Sequence, residues 1–205
     1  KQVAFLITWA DATRNDIDGG GMTSDAVAVQ LPLAAGPDVP DPTMGMAGRP
    51  VHVHLWKAYY QRRVTLGEWD IRQTFPNAAV DHYPFEAAPE GQKAEISSQY
   101  AVGLAAANPL ARSRTTSVDD LTAESFGTLT HLPAQLSSGH GDWQNGRWSV
   151  VISRPLAAAE WNAAGGFNPG DKTFAAFAVW DGAKDQTGSR KMRSTWVPLR
   201  LGVGI

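Results

Sequence analysis

The chain contains no cysteine. This excludes disulfides, thiolate zinc sites, cysteine-ligated iron–sulfur clusters and covalent c-type haem attachment. It does not fix the compartment, because exported proteins also dispense with cysteine. There is no surplus of positive charge either. The net charge is −2 over 205 residues, so no basic field favours nucleic acid as a partner. No apolar run reaches the ~20 residues of a membrane-spanning helix. No initiator methionine and no signal-peptide pattern are present. The sequence starts inside a strand-like run, Val3 to Trp9, and residues preceding Lys1 are expected to be missing through processing or disorder. Nucleophile elbows, Gly-rich phosphate loops and His-Glu zinc motifs are all lacking, and the scattered carboxylates define no catalytic pair. A catalytic centre of its own is therefore poorly supported.

What is present is aromatic. Eight tryptophans either fill a β-sandwich core or line a site for something flat and apolar. Val3–Trp9 and Asp25–Leu31 read as strands, and 51–57 (Val-His-Val-His-Leu-Trp-Lys) as a strand of period two, with His52, His54 and Trp56 on one face. A Pro/Gly/Asp-rich loop from Pro32 to about Pro50 carries Met44-Gly45-Met46, and long loops inside compact domains are usually functional. Ser117 to Leu121 looks like a helix start capped by Ser117, leading into a strand near Thr130. Residues 139–148 form a tight hairpin about Asn145-Gly146, with Trp143 and Trp148 on its arms and the strand 149–154 behind it. Pro155–Trp161 reads as a short helix. Lys172–Trp180 is the clearest strand, 181–185 is the centre of an exposed hairpin loop, and Thr195–Leu201 is a last strand that Pro198 places at an edge. The whole predicts a mainly all-β fold, an antiparallel β-sandwich with a few short helices in long loops, as one domain over 1–205.

Three residue sets could carry chemistry. His140 sits between Gly139 and Gly141, which would let a bulky partner approach the main chain; it reads as a haem or metal ligand, or as a solvated loop histidine. His52 and His54 could bind a metal from one strand face, or simply make that face polar. Met44 or Met46 could supply a thioether to a haem, or merely fill gaps in packing.

Several stretches together resemble the haem b-binding gamma subunits of the type II dimethyl sulfoxide reductase group, which includes ethylbenzene, dimethylsulfide and steroid C25 dehydrogenases and chlorate and selenate reductases. They are Met44-Gly45 with Pro50 to Ala58; Ala123 to Leu129; Gly139 to Val151 with Arg154-Pro155-Leu156; and Phe174 to Trp180 with Trp196 to Leu199. The resemblance implies a β-sandwich holding one non-covalent haem b. The family's methionine ligand matches Met44, with Met46 as the neighbouring alternative. The family's second ligand is a lysine. Its position falls at His140, a departure that keeps a nitrogen donor, and Lys93 is the fallback. The implied role is electron transfer inside a periplasmic heterotrimer. There an alpha subunit carries a molybdenum cofactor, a beta subunit carries iron–sulfur clusters, and an external carrier such as a cytochrome c exchanges electrons with the haem. A carbohydrate-binding β-sandwich, its tryptophans stacking on sugar rings, is the rival expectation.

Overall fold

A computed structural model describes residues 1–67, 71–77, 89–92, 103, 106, 108, 113–161 and 166–202. The chain packs as two compact units, one of Lys1–Gly67 with Thr115–Ile205 and one of Glu68–Arg114. Lys93 lies outside the described residues.

The first unit is an antiparallel sandwich. One sheet has three strands in the order β1 (Gln2–Ala10), β7 (Arg147–Pro155), β6 (Ser138–Gln144). The other runs β10 (Val197–Arg200), β8 (Lys172–Trp180), β2 (Ala26–Pro32), β3 (Val51–Lys57), β4 (Val118–Ala123), β5 (Thr130–His131), with β9 (Met192–Arg193) paired to β8. Pro198 does lie on an edge strand, where its missing N–H costs no ladder bond. The hairpin turn is as expected: Asn145 (φ 51°) and Gly146 (φ 72°) are both left-handed, and Trp143 faces Trp148 across the ladder.

Between the sheets lies the core. Val27, Val29 and Leu31 of β2, Trp56 of β3 and Val118 of β4 meet Phe5, Trp148, Val150 and Ile152 from the other sheet. Trp56 and Trp148 meet edge-to-face with ring centroids 5.2 Å apart, and Trp9 stacks on Trp148 at 6.1 Å. Tryptophan therefore does fill the core. The glycines around His140 serve this packing. A Cβ on Gly141 would lie 2.4 Å from the Trp56 ring, and one on Gly139 would lie 2.7 Å from Val118. Gln61 of helix α1 (Ala58–Leu66) holds the approach closed. Its Oε1 accepts from the Trp56 indole (3.1 Å) and the Gly141 N–H (2.7 Å), and its Nε2 donates to the Gly141 carbonyl (2.8 Å). Gly141→Val is accordingly expected to cost about 1–3 kcal/mol through overpacking, read from the midpoint of chemical denaturation.

Two local expectations are corrected and one element was missed. Residues 118–123 are strand β4 rather than a helix beginning at Ser117. Ser117 Oγ donates across to the Gly139 carbonyl instead of capping a helix, and Asp120 is buried against His54. Long-range pairing of β4 with β3 overrides the local cap signal. Pro155 ends β7, and only a 3-10 turn at Ala159–Trp161 follows. Helix α1, directly after β3, lay unread in the sequence; it has no acidic first turn and no side-chain cap to announce it.

Candidate functional site

The outer face of the larger sheet, away from the core, carries a cavity of about 660 Å³. Its floor follows from strand register. Ala28 lies between Ala178 and Leu55, Gln30 between Ala176 and Val53, and Val53 is beside Leu121. Alternation along each strand puts these side chains on one face, while Val27 and Val29 point to the core. Four of the floor residues are alanines: Ala26, Ala28, Ala176 and Ala178. A run of methyl groups across two adjacent strands makes a flat, apolar surface. Phe126, Leu129 and Trp180 wall it.

Met44 lines this cavity, whereas Met46 is not among the lining residues and is 45% exposed. Met44 is held there at φ 72°, a left-handed conformation that an unbranched L-residue seldom adopts. Such outliers persist only when surroundings over-determine them. Here they do. Asp41 accepts from the Thr43 N–H (2.7 Å) and hydroxyl, and its carbonyl accepts from the Gly45 N–H (3.0 Å). Gly45, itself at φ 78°, packs so closely that a Cβ would lie 2.8 Å from the Ala123 carbonyl oxygen. The loop is also tied to the sheet: Gln30 Nε2 donates to the Pro42 carbonyl (3.0 Å), and the Trp196 indole donates to that of Pro40 (2.7 Å).

Two lysines also line the cavity. Lys57 is ion-paired with Asp18 at 2.7 Å. Lys191 lies over the Trp180 ring at 5.4 Å and donates to the Gly188 carbonyl at 3.2 Å. Burial, then the neighbouring Arg193 charge, lowers the Lys191 pKa below its ordinary value. Both effects favour the neutral amine, the form that can donate a lone pair to a metal.

His140 is elsewhere. It is exposed on β6, on the outer face of the three-stranded sheet, in a row with Val151 and Leu6. The core and the larger sheet separate it from the Met44 cavity, so the structure does not bring the two together. Sequence reading missed Lys191. Its one local signal is its place at the end of a hairpin that folds back over Trp180.

His52 and His54 share the core-facing side of β3, not a solvated polar face. His54 is fully buried. Arg154 has no acceptor, so its Nη1 must donate to His54 Nε2 (3.3 Å), which leaves Nδ1 protonated and donating to Asp120 Oδ1 (2.6 Å). Asp120 Oδ2 accepts from the Leu136 and Ser137 N–H groups at 2.7 and 2.8 Å. This is a satisfied internal network. Burial opposes the charge on Asp120, but the His54 and Ser137 hydrogen bonds hold its pKa below the usual carboxylate value. Burial, then the electrostatic influence of the neighbouring His54 ring and of the Arg154 guanidinium, lowers His52 to about 4. The unfolded chain thus binds the His52 proton more readily, and stability falls as pH drops through the window from 6.5 to about 4. The effect is at most about 3 kcal/mol. Comparing melting temperature against pH for wild type and His52→Gln should show a shallower acid decline in the variant over that window.

The sequence model of the ethylbenzene dehydrogenase family matches residues 1–192. A Haloferax mediterranei protein named respiratory nitrate reductase heme subunit ORF7 is 25% identical over 207 aligned residues, covering the whole of this chain and 53% of the relative. The chain thus spans about half the length of that relative. Among the described residues no helix is long and apolar enough to cross a membrane. On the strength of the family match, the chain belongs to the ethylbenzene dehydrogenase family.

Proposed function

We propose that the chain is the haem b-binding, electron-transferring subunit of a molybdenum oxidoreductase complex. The haem is seated in the Met44 cavity, and Lys191 takes the nitrogen-donor role that the sequence reading gave to His140. The observation that carries this is one apolar, alanine-floored cavity lined by both a backbone-constrained thioether and a partly buried lysine amine. A volume of about 660 Å³ suits a large planar ligand. The residues fit the group: Met44 and Lys191 would hold it, the alanine rows would receive its flat face, and Arg193, which also lines the cavity, would face its carboxylates.

Bound there, haem supplies reversible one-electron exchange, with a potential set by axial ligands and burial. The protein's part is to exclude water through the apolar floor, to fix the donors and to offer cations at the rim. In this reading the substrate is handled by a partner subunit carrying molybdenum. A second partner carries the iron–sulfur clusters that this cysteine-free chain cannot hold. In that complex the subunit would hold the haem where electrons pass between those clusters and an external carrier such as a cytochrome c, in the periplasm. The name of the Haloferax relative, a heme subunit, accords with this reading.

Absorption spectra of the purified protein, as isolated and after dithionite, test the proposal. A Soret band with sharpened alpha and beta bands on reduction is expected, and Lys191→Ala should lose that six-coordinate spectrum while His140→Ala keeps it. A protein that takes up no haem on reconstitution would overturn the reading.

A further inference from the structure

At one end of the sandwich three carboxylates converge. Asp11 follows β1, Asp25 precedes β2 and Asp181 follows β8, so the cluster joins the two sheets. All three residues are buried, and a carboxylate oxygen from each lies within 4.8 Å of the others. Among the described residues this is the one such convergence of ligating side chains. Backbone contacts fix it. Gly182 sits so close to Thr23 that a Cβ would lie 2.1 Å from the Thr23 carbonyl oxygen, and the Gly182 N–H donates to Asp25 Oδ1 at 2.8 Å. Asp25 Oδ2 accepts from the Asn15 N–H (2.7 Å) and the Trp148 indole (3.0 Å). Asp11 accepts from the Thr13 N–H (3.2 Å) and the Trp9 indole (3.3 Å).

Asp181 differs. Its Oδ1 is buried and accepts no hydrogen bond, although the residue is only 9% exposed. A buried carboxylate oxygen without a partner is costly, and it calls for an explanation such as an ion. Its Oδ2 meets Lys184 Nζ at 2.7 Å, but the Lys184 side chain is 68% exposed and can turn into solvent. Three carboxylates against one ammonium leave the cluster short of positive charge.

We propose that Asp11, Asp25 and Asp181 form a calcium site that clamps the two sheets together. The dimensions suit Ca²⁺, whose oxygens lie ~2.3–2.6 Å from the ion and so up to ~5 Å from one another. Mg²⁺, at ~2.0–2.1 Å and with a rigid octahedron, fits the span less well. The ion binds the free Oδ1 of Asp181 and shares oxygens of Asp11 and Asp25. Lys184 then moves aside, as the counter-ion that calcium replaces. The site is independent of the haem reading, since none of the three carboxylates lines the Met44 cavity.

The test is calorimetric titration of CaCl₂ into the full chain after EDTA treatment, with wild type, Asp181→Asn and Lys184→Ala side by side. One equivalent of Ca²⁺ is expected to bind wild type and raise its melting temperature. Asp181→Asn should weaken binding at least about tenfold, and Lys184→Ala should bind at least as tightly as wild type. Should Asp181→Asn fail to fold, Asp11→Asn serves in its place. The absence of saturable binding in wild type, or equal binding in the Asp→Asn variant, would overturn the site.

Discussion

Met44→Ala is expected to abolish the six-coordinate haem spectrum and sharply reduce haem retention, while leaving the sandwich folded. The thioether is the donor that the cavity offers from the 41–45 turn, and alanine has no lone pair to replace it. Fold should survive because Met44 is not part of the core between the sheets. Its left-handed backbone (φ 72°) is imposed by the Asp41 turn and by Gly45 rather than by its own side chain. Met46→Ala is the matched control, because that side chain is exposed and does not line the cavity. Haem content per chain and the reduced visible spectrum check both variants. Full retention of the spectrum in Met44→Ala would remove Met44 as a ligand.

Asp120→Ala should be the most destabilising change in the described part of the chain, at about 3–5 kcal/mol. The carboxylate is fully buried, and its removal leaves the His54 Nδ1–H and two backbone N–H groups without their acceptor and takes the buried counter-charge away from the Arg154 guanidinium. Breaking a buried charged network by removing one member costs far more than the network contributes, because the remaining charge stays desolvated. For a chain of this size the melting temperature should fall on the order of 10 °C. Asp120→Asn, which keeps acceptor oxygen but not charge, should lose less. His54→Phe with Asp120→Leu together should recover part of the loss, since both polar ends are then removed. A fall of less than about 1 kcal/mol in Asp120→Ala would contradict this assignment of His54, Asp120 and Arg154 as one unit.

The strand pattern was legible because it is written locally. Alternation at 51–57, the Asn145-Gly146 turn and the edge proline at 198 each state their geometry within a few residues. The sandwich follows from them. What was not legible depends on pairings across the chain. The face of β3 bearing His52 and His54 looks polar, yet it faces inward because Asp120 and Arg154 arrive from β4 and β7 to satisfy it. Gly139 and Gly141 look like an approach to His140, yet they make room for Trp56 from the other sheet. The glycine pattern thus signalled a close approach correctly, but the bulky partner is an indole of this chain. The 32–50 loop left Met44 and Met46 as alternatives, and the resemblance pointed to Met44, which lines the cavity. Lys191 was not singled out, because its place at the cavity comes from register: β9 folding back on β8 brings it over Trp180. The same holds for Asp11, Asp25 and Asp181, which lie far apart in sequence and meet only where strands of both sheets end.

The measurement that tests the haem reading most directly is an anomalous-difference map at the iron edge from crystals of the haem-loaded protein. The account predicts a single iron peak in the cavity on the outer face of the larger sheet that Met44 and Lys191 line. An iron peak beside His140 on the three-stranded sheet, or no iron in the Met44 cavity of a haem-replete crystal, would contradict it.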